Sequence, residues 1–261
     1  MSEINTANIP VASIEDDLKF LLGEAKIGYQ SFKLPSNSPV LYSKYECNGT
    51  VNVRPLKVKD EIEFTRILSN KDKSSEAVEQ MLRSCVEGHK EPRALTIPDK
   101  LFLLFKIREL SIGDEYVLES ACNYCKTSNK ITLKLSEVPV NYRPTPMESF
   151  YGTITLPQSE VEIKFRCALA NDEQYFTTET SFLENLYRFI VSVSKGGKTF
   201  TLAENTTLIE KLVLNLKASE ALLLSKAIFD DSYGLQNKFI YSCQSCKKDN
   251  TTRLELNSNF M

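Results

Sequence analysis

Two Cys-x-x-Cys steps hold the residues best suited to chemistry in this chain: Cys122 and Cys125 in SACNYCKTSNKITLKL (residues 120–135), and Cys243 and Cys246 in SCQSCKKDN (residues 242–250). Paired thiolates at this spacing form a metal knuckle, but one knuckle supplies two ligands and a tetrahedral zinc takes four. Neither step has a further Cys or His at knuckle spacing, and Cys47 and Cys167 fall on expected strands well upstream. The economical solution is that the steps meet, so that Cys122, Cys125, Cys243 and Cys246 close one Cys₄ site holding one zinc per chain. Four thiolates leave no open position for water or substrate, which makes such a site structural rather than catalytic. Lys126, Lys247 and Lys248 directly follow the knuckles and would soften the charge of a zinc tetrathiolate. Iron satisfies the same ligand set. Three other readings stay open: unliganded thiols in turns, a zinc shared between chains, and thiol–disulfide exchange. The last calls for a Cys-x-x-Cys at a helix N-terminus, and no helix signal follows Cys125 or Cys246.

The remaining chemistry-bearing residues do not assemble into a catalytic set. His89, the only histidine, stands in the expected loop EGHKEP, so no triad or histidine metal site can be built around it. GGKT at residues 196–199 imitates the end of a phosphate-binding loop, but that motif's first glycine would fall on Ser192, and the preceding segment has a helical pattern. A Gly-Gly turn is the expectation there. Acidic pairs in IEDD and DDSYG suit helix ends. The expectation is a binding or assembly protein, not an enzyme.

The elements that must position the knuckles are themselves repeated. At a constant offset, residues 101–135 align with residues 222–256 without a gap and agree at eleven of thirty-five positions, where unrelated segments would share about two. The matched residues include Gly113 with Gly234, both cysteine pairs, Lys126 with Lys247 and Asn129 with Asn250. Each copy has the pattern apolar helix, Ser-x-Gly stop, strand, knuckle, strand. Upstream, VNVRPLKVKDEIEF (residues 51–64) resembles VEIKFRCALANDEQYF (residues 161–176) more loosely, each after a Leu-Pro turn, Leu34–Pro35 and Leu156–Pro157. An amphipathic helix follows in each copy: Val78, Met81, Leu82, Cys85 and Val86 share one face in the first, and Phe182, Leu186, Phe189, Ile190 and Val193 in the second. The second copy carries an extra segment, KGGKTFTLAENTTLIEKLVLNL.

The expected fold class is therefore α+β and internally duplicated, with two related halves that each hold a strand pair, helices and a single-knuckle, zinc-ribbon-like hairpin. Residues 1–33 form an N-terminal arm with a short amphipathic helix, capped by Ser13 and striped by Ile14, Leu18, Leu21 and Leu22. Residues 34–140 form the first half and 141–261 the second, joined by a proline-stiffened linker near NYRPTP.

Composition bounds the function. The 261 residues carry a net charge of −2 and a pI near 5.7, without the basic stripe of a nucleic-acid binder. Seven cysteines are too few, and odd in number, for a disulfide scaffold. No apolar run of transmembrane length and no charged leader is present, so a soluble intracellular protein is expected. Fourteen Phe and eleven Tyr supply residues that anchor interfaces.

Three stretches carry a family resemblance: KLPSNSPVLYSKY, VNVRPLKVKDEIEF and RALTIPDKLFLLFKIRELSIGDEYVLESACNYC. Their Leu-Pro-Ser turn, R-P-L-x-V-x-D-E helix start and helix–Gly-Asp–strand–C-x-x-C series resemble the baseplate hub assembly proteins of T-even-type contractile-tailed phages. The resemblance covers most of the first half and the end of the second, which lacks the R-P-L-x-V series. It implies a phage tail morphogenesis protein, either a hub assembly chaperone or a minor hub subunit. Its partners would be other tail and baseplate hub proteins, with no small-molecule substrate, membrane or nucleic acid. It would act in the host cytoplasm during assembly or in the virion baseplate. The alternatives from other classes are a zinc-ribbon regulator of nucleic acid or polymerase and a Cys-x-x-Cys oxidoreductase.

Overall fold

The computed structural model describes residues 16–18, 20–21, 28–43, 48–69, 74–87, 91–176, 179–230 and 232–254. The fold is α+β, built on small antiparallel sheets. Cys47, His89, Ser13, Ile14 and Leu22 lie outside the described residues.

The chain begins with a three-stranded antiparallel sheet, β1 (Gln30–Lys33), β2 (Thr50–Val53) and β3 (Val86–Glu87), in the order β1-β2-β3. Two helices, α1 (Val58–Leu68) and α2 (Ser74–Cys85), cross from β2 to β3, and α3 (Ile97–Ile112) follows. Met81, Leu82 and Cys85 are buried on one face of α2 with Val78 partly buried beside them, against Val51, Val53, Phe102, Leu103 and Ile107. Val86, expected on the same helical face, is corrected to the first residue of β3, where pairing with β2 ends the helix. Thr96 caps α3, its Oγ1 accepting the Asp99 N–H, and the helix stops at Gly113, whose φ of +119° suits a residue without a side chain.

The Leu-Pro-Ser turn is held by the first turn of α3. Asp99, fully buried, accepts the Ser36 N–H at 2.9 Å and the Tyr42 hydroxyl at 2.7 Å. Burial pushes its carboxyl above the usual value even though these bonds favour the charged form. Gly49 sits at φ +85° where a Cβ would stand 2.2 Å from the Ser38 carbonyl oxygen, so only glycine allows the chain to pass.

A four-stranded sheet opens the second part of the chain: β7 (Tyr151–Thr155), β8 (Glu162–Arg166), β9 (Ile190–Lys195) and β10 (Lys198–Thr201), in the order β10-β9-β8-β7. The short α4 (Glu179–Asn185) lies between β8 and β9; α5 (Leu202–Leu214) and α6 (Ala218–Ile228) follow β10. The helical face expected over residues 182–193 is corrected here. α4 ends at Asn185, a 3₁₀ turn covers Leu186–Phe189, and Ile190 and Val193 belong to β9. Ile-Val-Ser-Val-Ser alternates with period two, and pairing to β8 outweighs the helical spacing of the preceding phenylalanines. Gly196 and Gly197 form the β9–β10 turn at φ +59° and +77°, so GGKT joins two strands and opens no phosphate loop.

An arginine–aspartate pair recurs where each sheet hands over to its helices. Arg54 Nη1 reaches Asp60 Oδ2 at 2.6 Å, and Asp60 also accepts the Lys57 N–H at 2.9 Å. Arg166 donates to both oxygens of Asp172 at 2.6 and 2.8 Å, and Asp172 accepts the Leu169 N–H at 2.9 Å. Each pair locks a strand end to the turn that follows it. Both stretches share the spacing R-x₅-D-E.

The segment near NYRPTP is packed against the rest of the fold. β6 (Val140–Asn141) pairs with β11 (Gly234–Leu235), and Arg143 donates its N–H to the Pro35 carbonyl and pairs with Asp230. A bridge between Thr96 and Leu169 and the Lys100–Glu173 ion pair tie the two parts elsewhere. In the arm, residues 16–18 and 20–21 are helical, with Leu18, Phe20 and Leu21 exposed to 49%, 84% and 75%. No helix among the described residues is long and apolar enough to cross a membrane.

Candidate metal centre

Each cysteine pair sits at the tip of a two-stranded hairpin. The first is β4 (Glu115–Ala121) with β5 (Ser128–Lys134), and the second is β12 (Lys238–Ser242) with β13 (Asp249–Arg253). Strand follows each knuckle, not helix. Alternation sets the hairpins' inward faces: Tyr116 and Leu118 are buried while Val117 is exposed. Phe105, Tyr116, Leu118, Leu135, Val138 and Leu254 form an apolar cluster beneath the tips, with Phe239 packed against it.

The tips are built alike. Cys122 donates its N–H to Thr127 O at 2.9 Å, and Cys243 to Lys248 O at 3.0 Å. The N–H of Lys126 returns to Cys122 O at 3.0 Å, and that of Lys247 to Cys243 O at 2.9 Å. Both lysines adopt the left-handed conformation, at φ 62° and 61°. This turn aims the two sulfurs of each step the same way. Lys126 Nζ folds back onto Asn123 O, and Lys248 Nζ lies 4.5 Å from the Tyr124 ring.

All four sulfurs converge, each within 4.8 Å of the others, and this is the one such cluster of potential ligands among the described residues. Cys122 Sγ lies 3.6 Å from Cys246 Sγ, and Cys125 Sγ 3.6 Å from Cys243 Sγ. A tetrahedron with metal–sulfur bonds of about 2.3 Å has sulfur–sulfur edges of about 3.8 Å. Both contacts run between hairpins and come close to that edge, as a shared four-ligand site requires. Cys122 and Cys243 are fully buried, Cys125 is exposed and Cys246 intermediate. Cys85 and Cys167 are buried elsewhere, with thiols pushed by burial up to about 11 and about 12, as expected of packing residues.

Electrostatics at the cluster favour a cation. The hydroxyl and amide of Thr127 pull the Cys125 thiol down to about 6. Burial works to raise Cys122, but the amides of Cys125 and Tyr124 outweigh it and lower its pKa. Cys246 receives the Lys248 amide, yet burial and the three neighbouring sulfurs hold it up at about 11. The surroundings favour the thiolates of Cys122 and Cys125 and oppose that of Cys246; a bound cation would supply the missing compensation there. The donor set and spacing thus fit a tetrahedral metal.

Two asparagines complete the site, and they were not singled out as site residues from the sequence. Asn250 Oδ1 accepts the Asn123 N–H at 2.8 Å, and Asn129 Oδ1 accepts the Gln244 N–H at 2.9 Å. Each thus reaches from one hairpin into the knuckle of the other, while its own amide holds its own turn, through Thr127 O and Lys248 O. Both are nearly fully buried. The signal was present as C-x₂-C-x₃-N in both stretches. Replacing Asn129 or Asn250 by Ala strips a knuckle N–H of its partner, and outer-sphere losses of this kind typically cost about 10–100-fold in metal affinity. A loss in that range is expected for each variant in competition with a chromophoric chelator; unchanged affinity would reduce the asparagines to hairpin residues.

The fold and site together describe a small α+β protein in which four thiols from distant parts of one chain converge on a candidate metal site. The family model described as T4 bacteriophage base plate protein matches residues 29–261, and the chain belongs to this family of phage baseplate proteins. No curated protein and no solved structure matches the chain.

Proposed function

We propose that this baseplate protein serves in building the central hub of the tail baseplate, as an assembly chaperone or minor hub subunit. It acts by protein–protein binding and performs no catalysis on a substrate. In this reading Cys122, Cys125, Cys243 and Cys246 hold one structural zinc, which fastens two related halves, residues 34–140 and 141–261, that descend from an internal duplication. The observation that carries the metal reading is the convergence of sulfurs from two hairpins at tetrahedral edge distances. The family supports a role in the baseplate.

Partner faces are supplied by outward apolar residues. No residue of α1 is buried, and Val58 and Ile62, one turn apart, are exposed to 73% and 64%. Leu18, Phe20 and Leu21 of the arm are further exposed apolar residues. A rigid body with exposed helical anchors suits a role in docking hub components. The protein works in the host cytoplasm during assembly, or stays in the virion baseplate. Co-expression with the phage's other tail proteins is expected to yield a stable complex with a hub component that Ile62→Asp weakens. Purification alone from every such co-expression would sink the proposal, and mass spectrometry of finished particles separates the chaperone from the subunit.

A further inference from the structure

Edge strands invite pairing, and natural sheets guard them with charge, proline or bulges. Among the described residues, the sheet edges longer than two residues carry charge in every strand but one. β1 carries Lys33, β10 carries Lys198, and each strand of the knuckle hairpins carries Lys, Arg, Glu or Asp. β7, with the sequence Tyr-Gly-Thr-Ile-Thr, carries none, and its pairing to β8 runs without a bulge over five residue pairs.

The backbone of β7 is also unspent on its outer side. The β7–β8 hairpin has the Leu156 N–H on Val161 O at 2.9 Å and the Cys167 N–H on Phe150 O at 2.7 Å. Stepping in twos from those bonds, Gly152 and Ile154 turn their backbone groups toward β8, while Tyr151, Thr153 and Thr155 turn theirs outward. The Tyr151 N–H is taken by Ser149 Oγ at 3.1 Å. Among the described residues, no main-chain bond outside the sheet takes the groups of Thr153 and Thr155.

We propose that β7 pairs with β7 of a second copy of this chain, antiparallel about a two-fold axis through Thr153, to make one continuous eight-stranded sheet. The pairing is self-complementary, as an isologous contact must be. Thr153 exchanges both backbone bonds with the partner's Thr153, and the Thr155 N–H reaches the carbonyl of the partner's Tyr151. On the solvent face threonine meets threonine and Tyr151 meets threonine, so no like charges stand directly opposite. On the core face Gly152 lies opposite the partner's Ile154. A Cβ at Gly152 would stand 2.6 Å from Phe165 Cζ, because that ring already covers the glycine. The incoming isoleucine would pack beside the ring, small against large, twice by symmetry.

Two five-residue strands bury less than the roughly 1,200 Å² at which stable interfaces begin, so the dimer exchanges with monomer and is populated at high concentration. Sedimentation velocity of the full chain over a dilution series is expected to show this equilibrium. Thr153→Lys, which sets two charges across the axis, should weaken it by about tenfold or more while the melting midpoint stays near that of the unmodified protein. Thr199→Lys on the opposite edge should leave it intact. A monomer at every concentration would overturn the proposal, as would a dimer indifferent to Thr153→Lys. Hydrogen exchange on the unmodified protein decides the matter if that variant folds poorly: the Thr153 and Thr155 amides should slow as concentration rises, and exchange independent of concentration counts against the pairing.

Discussion

Purified protein is expected to carry one zinc per chain, and Cys243→Ser to carry none and melt far below it. Cys243 is the informative position because it is fully buried and its sulfur makes one of the close contacts between hairpins. Structural tetrathiolate zinc binds with apparent free energies of about 10–16 kcal/mol, part of which becomes folding energy. Without the metal, the tips retain the asparagine bonds and the Phe105–Leu254 cluster, so the hairpins should loosen rather than unfold the whole chain. A net loss of about 5 kcal/mol corresponds to a drop of about 10–20 °C for a chain of this size. Chelation of the unmodified protein should reproduce that drop, and added zinc should restore it. Cys85→Ala is the control: its sulfur is buried in the first core, away from the cluster, and the variant should keep its metal. A colourless protein with zinc by elemental analysis excludes iron, which fits the same ligands. Metal-free protein with oxidised Cys-x-x-Cys pairs would defeat the structural-zinc reading and return the argument to thiol exchange, despite the strand that follows each knuckle.

The cluster was legible because metal chemistry constrains sequence more tightly than packing does. Two knuckles that each lack half a ligand set imply each other, whatever the chain does between them, and the convergence of Cys122, Cys125, Cys243 and Cys246 follows that logic. The helix ahead of the first knuckle was legible from its apolar run and its Ser-x-Gly stop, whereas its cap at Thr96 was not. The misreading at residues 182–193 arose because Phe182, Leu186 and Phe189 continue into Ile190 and Val193 with helical spacing. The Val-Ser alternation after Ile190 is short beside that spacing, and the pairing with β8 decides for strand. The contacts of the segment near NYRPTP were not legible for a similar reason: prolines report a stiff backbone, not the Pro35 carbonyl or the Asp230 carboxylate against which Arg143 is held. Asn129 and Asn250 recur at C-x₂-C-x₃-N, but the groups that their Oδ1 atoms hold, the N–H of Gln244 and of Asn123, lie across the fold and cannot be read from that spacing.

Phe189→Ala is expected to cost about 3–5 kcal/mol, the range for emptying a buried aromatic site. The ring is fully buried at the point where the 3₁₀ turn hands over to β9. It stacks on Phe176 at 5.6 Å between centroids and meets Phe229 at 5.5 Å, and the Arg166 guanidinium carbon lies 4.7 Å from its centroid. The change therefore removes more than apolar area. Phe176 and Phe229 lose an aromatic neighbour, and the guanidinium that bonds Asp172 in two places loses the face it rests on. Because Phe229 directly follows α6, the cavity should loosen that helix as well as the sheet. Urea denaturation should show a lower midpoint, with Phe189→Leu recovering most of the loss by refilling the volume without the ring. The distinguishing readout is the metal. The cluster at the hairpin tips rests on a separate apolar group, so the variant is expected to retain its zinc at temperatures where the sheet β7–β10 already exchanges its amides. Release of zinc in step with loss of the sheet would show instead that the two parts unfold as one cooperative unit, and that the knuckles stabilise the second core as directly as they join the hairpins.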